Sequence, residues 1–239
     1  MAFEDLTDPP GTVLVVVAHP DDIDFGTAGT VAKLVAAGSN VVYAIGTRGE
    51  AGPPEDMDRE ELADMREAEQ RAAASEVGVT DVRFLGLRDG HIEANLETRR
   101  VISRVIRDVR PDLVITQSPL RRFDRIYSSH PDHLAVGEAT MAAVYPDSRN
   151  PHAHPELLAE GFEPHTVPEC WIAGAEPLDV FVDITAVFDR KLAALKSHQS
   201  QTSKMDVEDL LSQWAQLIAR TYGLPEGRLV EGFRRVHAI

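Results

Sequence analysis

Apolar and polar positions alternate along this chain in two rhythms. Val13 to Val17 is a β-branched run with no polar break, the pattern of a central parallel strand covered on both faces. Gly26 to Ala37 is small and apolar and ends at Gly38, which predicts a closely packed helix with a glycine cap. A second strand is expected over 40–46. A charged helix follows over about 58–76, with Met65, Ala68, Ala72 and Val77 as its apolar stripe. The rhythm then repeats: strand 81–85, helix 96–109, strand 112–116, helix 131–145, strands 169–172 and 179–183, and helices 185–198 and 207–221.

Strands alternating with helices imply right-handed crossovers and an α/β fold, a Rossmann-like three-layer arrangement around a mostly parallel sheet. At 239 residues, one domain over 1–239 is expected. The stretch 146–168 is rich in proline and histidine and exceeds an ordinary connection, so it is expected to form a substrate-rim loop.

Composition narrows the partners. The formal charge is −15, so no nucleic-acid backbone and no anionic membrane surface is expected to bind. No apolar run approaches the roughly 20 residues that span a bilayer, and the acidic amino terminus lacks a basic leader. A soluble, cytoplasmic protein is the expectation. With Cys170 alone, a cysteine-based zinc site is excluded, and any metal rests on histidines and carboxylates. Cys170 itself is expected to be a small buried hydrophobe.

Two tetrapeptides carry the chemistry, His19-Pro20-Asp21-Asp22 and His130-Pro131-Asp132-His133. Each follows a predicted strand and opens a predicted helix, so both lie on the carboxyl rim of the sheet, where open α/β folds bind ligands. Proline at the first helical position and aspartate in the first turn are also ordinary helix starts. Catalytic zinc takes three protein ligands and leaves a fourth position to water, a set that His19, Asp22 and His133 can supply. Residues three apart on a helical turn share a face, which leaves Asp21 free for the metal's water; Asp132 is available to orient an imidazole.

These motifs resemble those of the PIG-L/LmbE-like de-N-acetylase superfamily. The similarity extends through Thr47-Arg48-Gly49-Glu50, Leu87-Arg88-Asp89-Gly90 and Lys196-Ser197-His198-Gln199-Ser200-Gln201. It implies a Rossmann-like enzyme, usually with zinc and often a homo-oligomer, that removes acetyl from a small N-acetylated aminosugar or glycoconjugate. Fe2+ or Co2+ would suit the same donors. Carried onto this chain, the resemblance implies metal ligands His19, Asp22 and His133, with Asp21 as general base. His130 would stabilise the oxyanion with Asp132 as its partner, and Arg48 would contact substrate. Some relatives place a tyrosine where this chain has Ser128, beside Tyr127.

Other readings remain at this point. One is a mycothiol-conjugate-type amidase of the same superfamily. Another is a non-haem iron oxygenase using the same triad. A third is a nucleotide-binding module at the first strand-turn-helix, although no Gly-x-Gly-x-x-Gly stands there.

Overall fold

The computed structural model describes residues 2–54 and 56–239, and of Tyr127 the backbone only. The chain runs β1 (Thr12–Val17), α1 (Asp22–Gly26), α2 (Ala28–Ala37), β2 (Asn40–Ile45), α3 (Arg59–Glu76), β3 (Asp81–Phe84), α4 (Leu96–Val109) and β4 (Leu113–Gln117). It continues through α5 (Pro131–Ala142), α6 (Pro155–Ala159), β5 (Glu169–Ala173), β6 (Val180–Asp183), α7 (Phe188–Lys196), α8 (Gln199–Thr202), α9 (Val207–Thr221) and β7 (Val230–His237).

One seven-stranded sheet has the order β3-β2-β1-β4-β5-β7-β6. β3 through β5 are parallel, and β7 runs antiparallel between β5 and β6. The unbroken apolar run of β1 now has its cause. Val13, Val15 and Val17 enter a core shared with α2, α3, α7 and α9, while Leu14 and Val16 enter the opposite core with α4 and α5. Both faces are covered, so no residue of the strand needs to be polar.

β7 was not expected from the sequence. Its Glu231 is buried and its Gly232 carries no side chain, so the alternation that marks a half-buried strand is lost. The Glu231 carboxylate accepts from the backbone N–H of Gly29 (3.0 Å) and Thr30 (2.7 Å), at the amino end of α2, and from Lys191 Nζ (2.7 Å). Helix amino termini attract anions, and in nucleotide-binding relatives of this architecture a phosphate takes that place. At α2 the protein supplies its own carboxylate, and the turn named in the nucleotide reading, ahead of α1, carries Asp21 and Asp22, which would repel a phosphate.

The segment 146–168 corrects another expectation. α5 starts on the carboxyl rim and descends, so the chain leaves it at the opposite edge, where His165 Nε2 meets the Pro111 carbonyl ahead of β4 at 2.8 Å. Arg107 pins the segment through the carbonyls of Asp147, Ser148, Asn150 and Ala153. The segment packs along α4, from the Pro111 edge to Arg99, and among the described residues none of its own makes a hydrogen bond to His19, Asp22 or His133. Among the described residues no helix is long and apolar enough to cross a membrane.

Candidate metal centre

The first motif is not a plain helix start. Helix α1 begins at Asp22, two residues later than Pro20 suggested, because Asp21 adopts a left-handed conformation at φ 81°. Aspartate tolerates that region better than most residues, but such a conformation costs roughly 1–3 kcal/mol and needs outside support. Helix α3 provides it. Gln70 Oε1 accepts the Asp21 N–H at 2.9 Å, and Arg66 donates to Asp21 Oδ2 at 3.1 Å and to the carbonyls of Pro20 and Gly49. Gln70 is itself anchored, donating to Asp24 Oδ2, which faces His198 Nε2 at 2.8 Å.

The turn parts the two carboxylates. Asp22 folds back so that its Oδ2 accepts the His19 N–H at 2.7 Å. The second motif closes on it from α5, whose Gly137 lies so close to β4 that a Cβ there would come within 2.4 Å of the Gln117 carbonyl. His133 Nε2 thereby lies 3.0 Å from Asp22 Oδ1 and 3.2 Å from His19 Nδ1, which is 3.5 Å from Asp22 Oδ2. Three donor groups from two distant motifs thus face one small space.

The other nitrogen of His19 faces carboxylates. Nε2 is 3.1 Å from Asp89 Oδ1 and 3.2 Å from Asp132 Oδ2. Those oxygens accept its Nε2 proton, which turns Nδ1 towards Asp22 and His133. Asp132 also accepts from the N–H groups of Gly90 (2.7 Å) and Ile92 (3.2 Å), and Asp89 Oδ2 from Ala51. This corrects the expected pairing: the Asp132 carboxylate serves His19, not His130. Among the described residues His130 has one hydrogen bond to Asp132, its Nδ1 accepting the backbone N–H at 3.2 Å, so the proton of the neutral ring sits on Nε2.

Electrostatics favour a cation at this place. Burial opposes charge on His19, yet Asp132, Asp22 and Asp89 outweigh it and push the imidazole up to about 12. Burial also opposes charge on Asp22, but His133 and His19 hold its carboxyl well below the usual range. Negative groups are in excess, the environment that a divalent ion satisfies. Asp21 goes the other way: burial lifts it to about 6 against the pull of Arg66. His130 is lowered by burial and by its two histidine neighbours, so it stays neutral.

Two further donor clusters exist among the described residues, His19 with His130 and His133, and His19 with Asp89 and Asp132. In the second, backbone N–H groups already occupy both Asp132 oxygens and one of Asp89.

Arg48 does not join the site. Its guanidinium is held by Glu60, Asp64 and Glu67 along α3. The arginine that reaches the centre is Arg66, which the sequence reading missed. Arg66 and Gln70 are buried on the same face of α3 as Leu62, Ala73 and Ala74, whereas Ala68 and Ala72 of the expected stripe face solvent. Asp89, in the Leu87–Gly90 stretch that shares the family similarity, is buried against His19. His165 lies beside Pro111 at the amino edge, and His154 meets Asp147 next to Arg99 of α4. Cys170 is a buried hydrophobe with its thiol pushed up to about 12 by burial. The side chain of Tyr127 lies outside the described residues.

The model of the family described as PIG-L, GlcNAc-PI de-N-acetylase, matches residues 14–144, which include both motifs. The chain belongs to this family. It is 33% identical over 229 residues to a diacetylchitobiose deacetylase of Thermococcus kodakarensis, covering 95% of this chain and 84% of that protein. A probable N-acetyl-alpha-D-glucosaminyl L-malate deacetylase 2 of Bacillus subtilis is 33% identical over 203 residues, covering 81% and 84%. The solved structure of N,N'-diacetylchitobiose deacetylase from Pyrococcus horikoshii, complexed with its inhibitor MPG, superposes with a TM-score of 0.89 at 28% identity, over 99% of this chain and 88% of that one.

Proposed function

We propose that this PIG-L family member is a metal-dependent N-deacetylase of N-acetylglucosamine-type substrates, small aminosugars or their glycoconjugates. The observation that carries it is the convergence of His19 Nδ1, the Asp22 carboxylate and His133 Nε2 within 3.5 Å of one another. Those three would hold the ion, with Asp132 and Asp89 orienting His19. We assign zinc, and the donor set also accepts Fe2+ or Co2+. When bound, the ion polarises the amide carbonyl and brings a water's pKa down towards about 7.

The chain's own groups do the rest. Asp21, ionised at neutral pH, takes a proton from the attacking water, and Arg66 fixes the direction of its carboxylate. His130 donates Nε2–H to the oxygen where negative charge develops, a contact worth about 2.7 to 4 kcal/mol in comparable sites. The proton held by Asp21 is then available to the departing amine. An oxygenase would require neither Asp21 nor His130 beside its ion, so the pair favours hydrolysis. The test is acetate release from a panel of N-acetylated aminosugars by zinc-loaded protein; no release with zinc, iron or cobalt refutes the reading.

A further inference from the structure

The two sides of the candidate metal centre differ in chemistry. On one side stand Asp21, Arg66, Asp89 and Glu50, all polar and tied into hydrogen bonds. On the other, Asp22 and His133 form the end wall of a groove of about 460 Å³ that passes between the sheet and α9. Phe25, Leu178, Leu211, Trp214 and Ile218 are among its walls, and Leu120 stands at its mouth. Its cations are already engaged, Arg122 by Asp124 and Glu176, Arg125 by Asp124 at 3.6 Å, and Lys191 by Glu231. Neither Asp21, Arg66 nor Asp89 borders it.

An acetyl methyl does not need such a space. A dry cavity of about 150 Å³ admits a benzene ring, and this groove is about three times that size. We infer that the groove receives the acyl part of the substrate, so that the protein cleaves N-acyl aminosugars carrying linear alkyl chains longer than acetyl. This rests on the deacylase reading above. An amide whose carbonyl sits between the ion ligands and His130 has two substituents. The hydroxyl-bearing sugar finds the charged partners on the polar side; the groove, although Gln117, Ser118 and Ser128 line part of it, is where an alkyl chain meets the apolar walls and loses water contact. In the step itself, water adds its oxygen to the acyl carbon and the C–N bond breaks. The amine departs with the proton that Asp21 took from water, and the acyl group leaves as a carboxylic acid whose remaining proton passes to that amine, giving a carboxylate and an ammonium.

The experiment uses zinc-loaded enzyme and N-acetyl-, N-butanoyl-, N-hexanoyl- and N-octanoyl-glucosamine, with free amine as the readout. Each methylene sealed into an apolar wall is worth roughly fourfold in kcat/KM. The hexanoyl substrate should therefore exceed the acetyl one by at least about tenfold, allowing for partial burial. Gly26 lines the groove at a point where an added Cβ meets nothing within 4 Å, so Gly26→Leu brings a larger side chain into the groove from an open position. That variant should lower the hexanoyl-to-acetyl ratio by at least about tenfold. Acetyl cleavage with no gain, or a loss, on lengthening the chain overturns the groove assignment and leaves the deacetylase reading standing. A gain from a hexyl glycoside of N-acetylglucosamine in place of the hexanoyl amide also overturns it, since the groove would then hold the aglycone. No amine from any substrate removes both.

Discussion

Asp132→Asn separates what the sequence implied from what the structure contains. The carboxylate accepts three protons, from His19 Nε2, Gly90 N–H and Ile92 N–H. An amide presents one oxygen and one NH2, so at least one of the three donors loses its acceptor. If that donor is a buried backbone N–H, the cost is about 1–3 kcal/mol, and at about 2–4 °C per kcal/mol in a chain of this size the metal-free protein should melt roughly 2–12 °C lower. Loss of the outer partner of a ligating histidine typically weakens metal binding about 10- to 100-fold. Asp89 shares the same His19 proton at 3.1 Å, so the loss should lie near the lower end, about tenfold. Competition against a chromophoric chelator measures the metal Kd, and a thermal melt of the chelator-treated protein measures the rest. Were Asp132 the partner of His130, metal affinity would survive and turnover alone would fall; a Kd within about twofold of the parent refutes the structural reasoning.

Three further outcomes are expected. Asp21→Asn should retain metal and lose at least about a hundredfold in kcat, whereas Asp22→Asn should lose the metal; equal metal loss in both, by elemental analysis after dialysis, ends the proposed division of roles. Glu231→Gln strands the buried Lys191 ammonium and should cost about 3–5 kcal/mol, or roughly 6–20 °C in Tm, and Lys191→Met in the same chain should restore much of it; a double variant no more stable than the single one contradicts this. Asp147 is buried against Arg99 and His154, which overcome its burial and lower its pKa below 3.8. A depressed folded-state pKa stabilises above the unfolded value and loses that contribution as the pH falls, so Tm should drop on going from pH 5 to pH 3. Asp147→Asn should flatten that drop, and parallel curves would show that Asp147 contributes nothing to it.

How legible the molecule was depended on whether a residue's burial matched its polarity. The β1 run, the strand-helix alternation and the two His-Pro-Asp motifs follow the rules for apolar periodicity and helix starts, and the parallel half of the sheet was readable from them. The residues that were missed break those rules because they serve the site. Arg66 and Gln70 are polar on the buried face of α3, so the apolar positions pointed to the wrong stripe; their spacing of four, on one face with Leu62 and Ala74, was the available signal. Buried Glu231 concealed β7 in the same way. The fate of 146–168 could not be read from its composition. It depends on which end of α5 meets the rim, and the His-Pro-Asp motif at the start of that helix already implied that its far end lies at the other edge.

The bonds from Glu231 to Gly29 and Thr30 join positions 202 and 201 residues apart. Lys191, held by the same carboxylate, also grips the carbonyl of Phe25 in α1, three residues beyond Asp22. A chain made only as far as α9 therefore has both motifs and the α3 contacts of Asp21, but lacks the carboxylate that fastens α1 and α2 to the sheet.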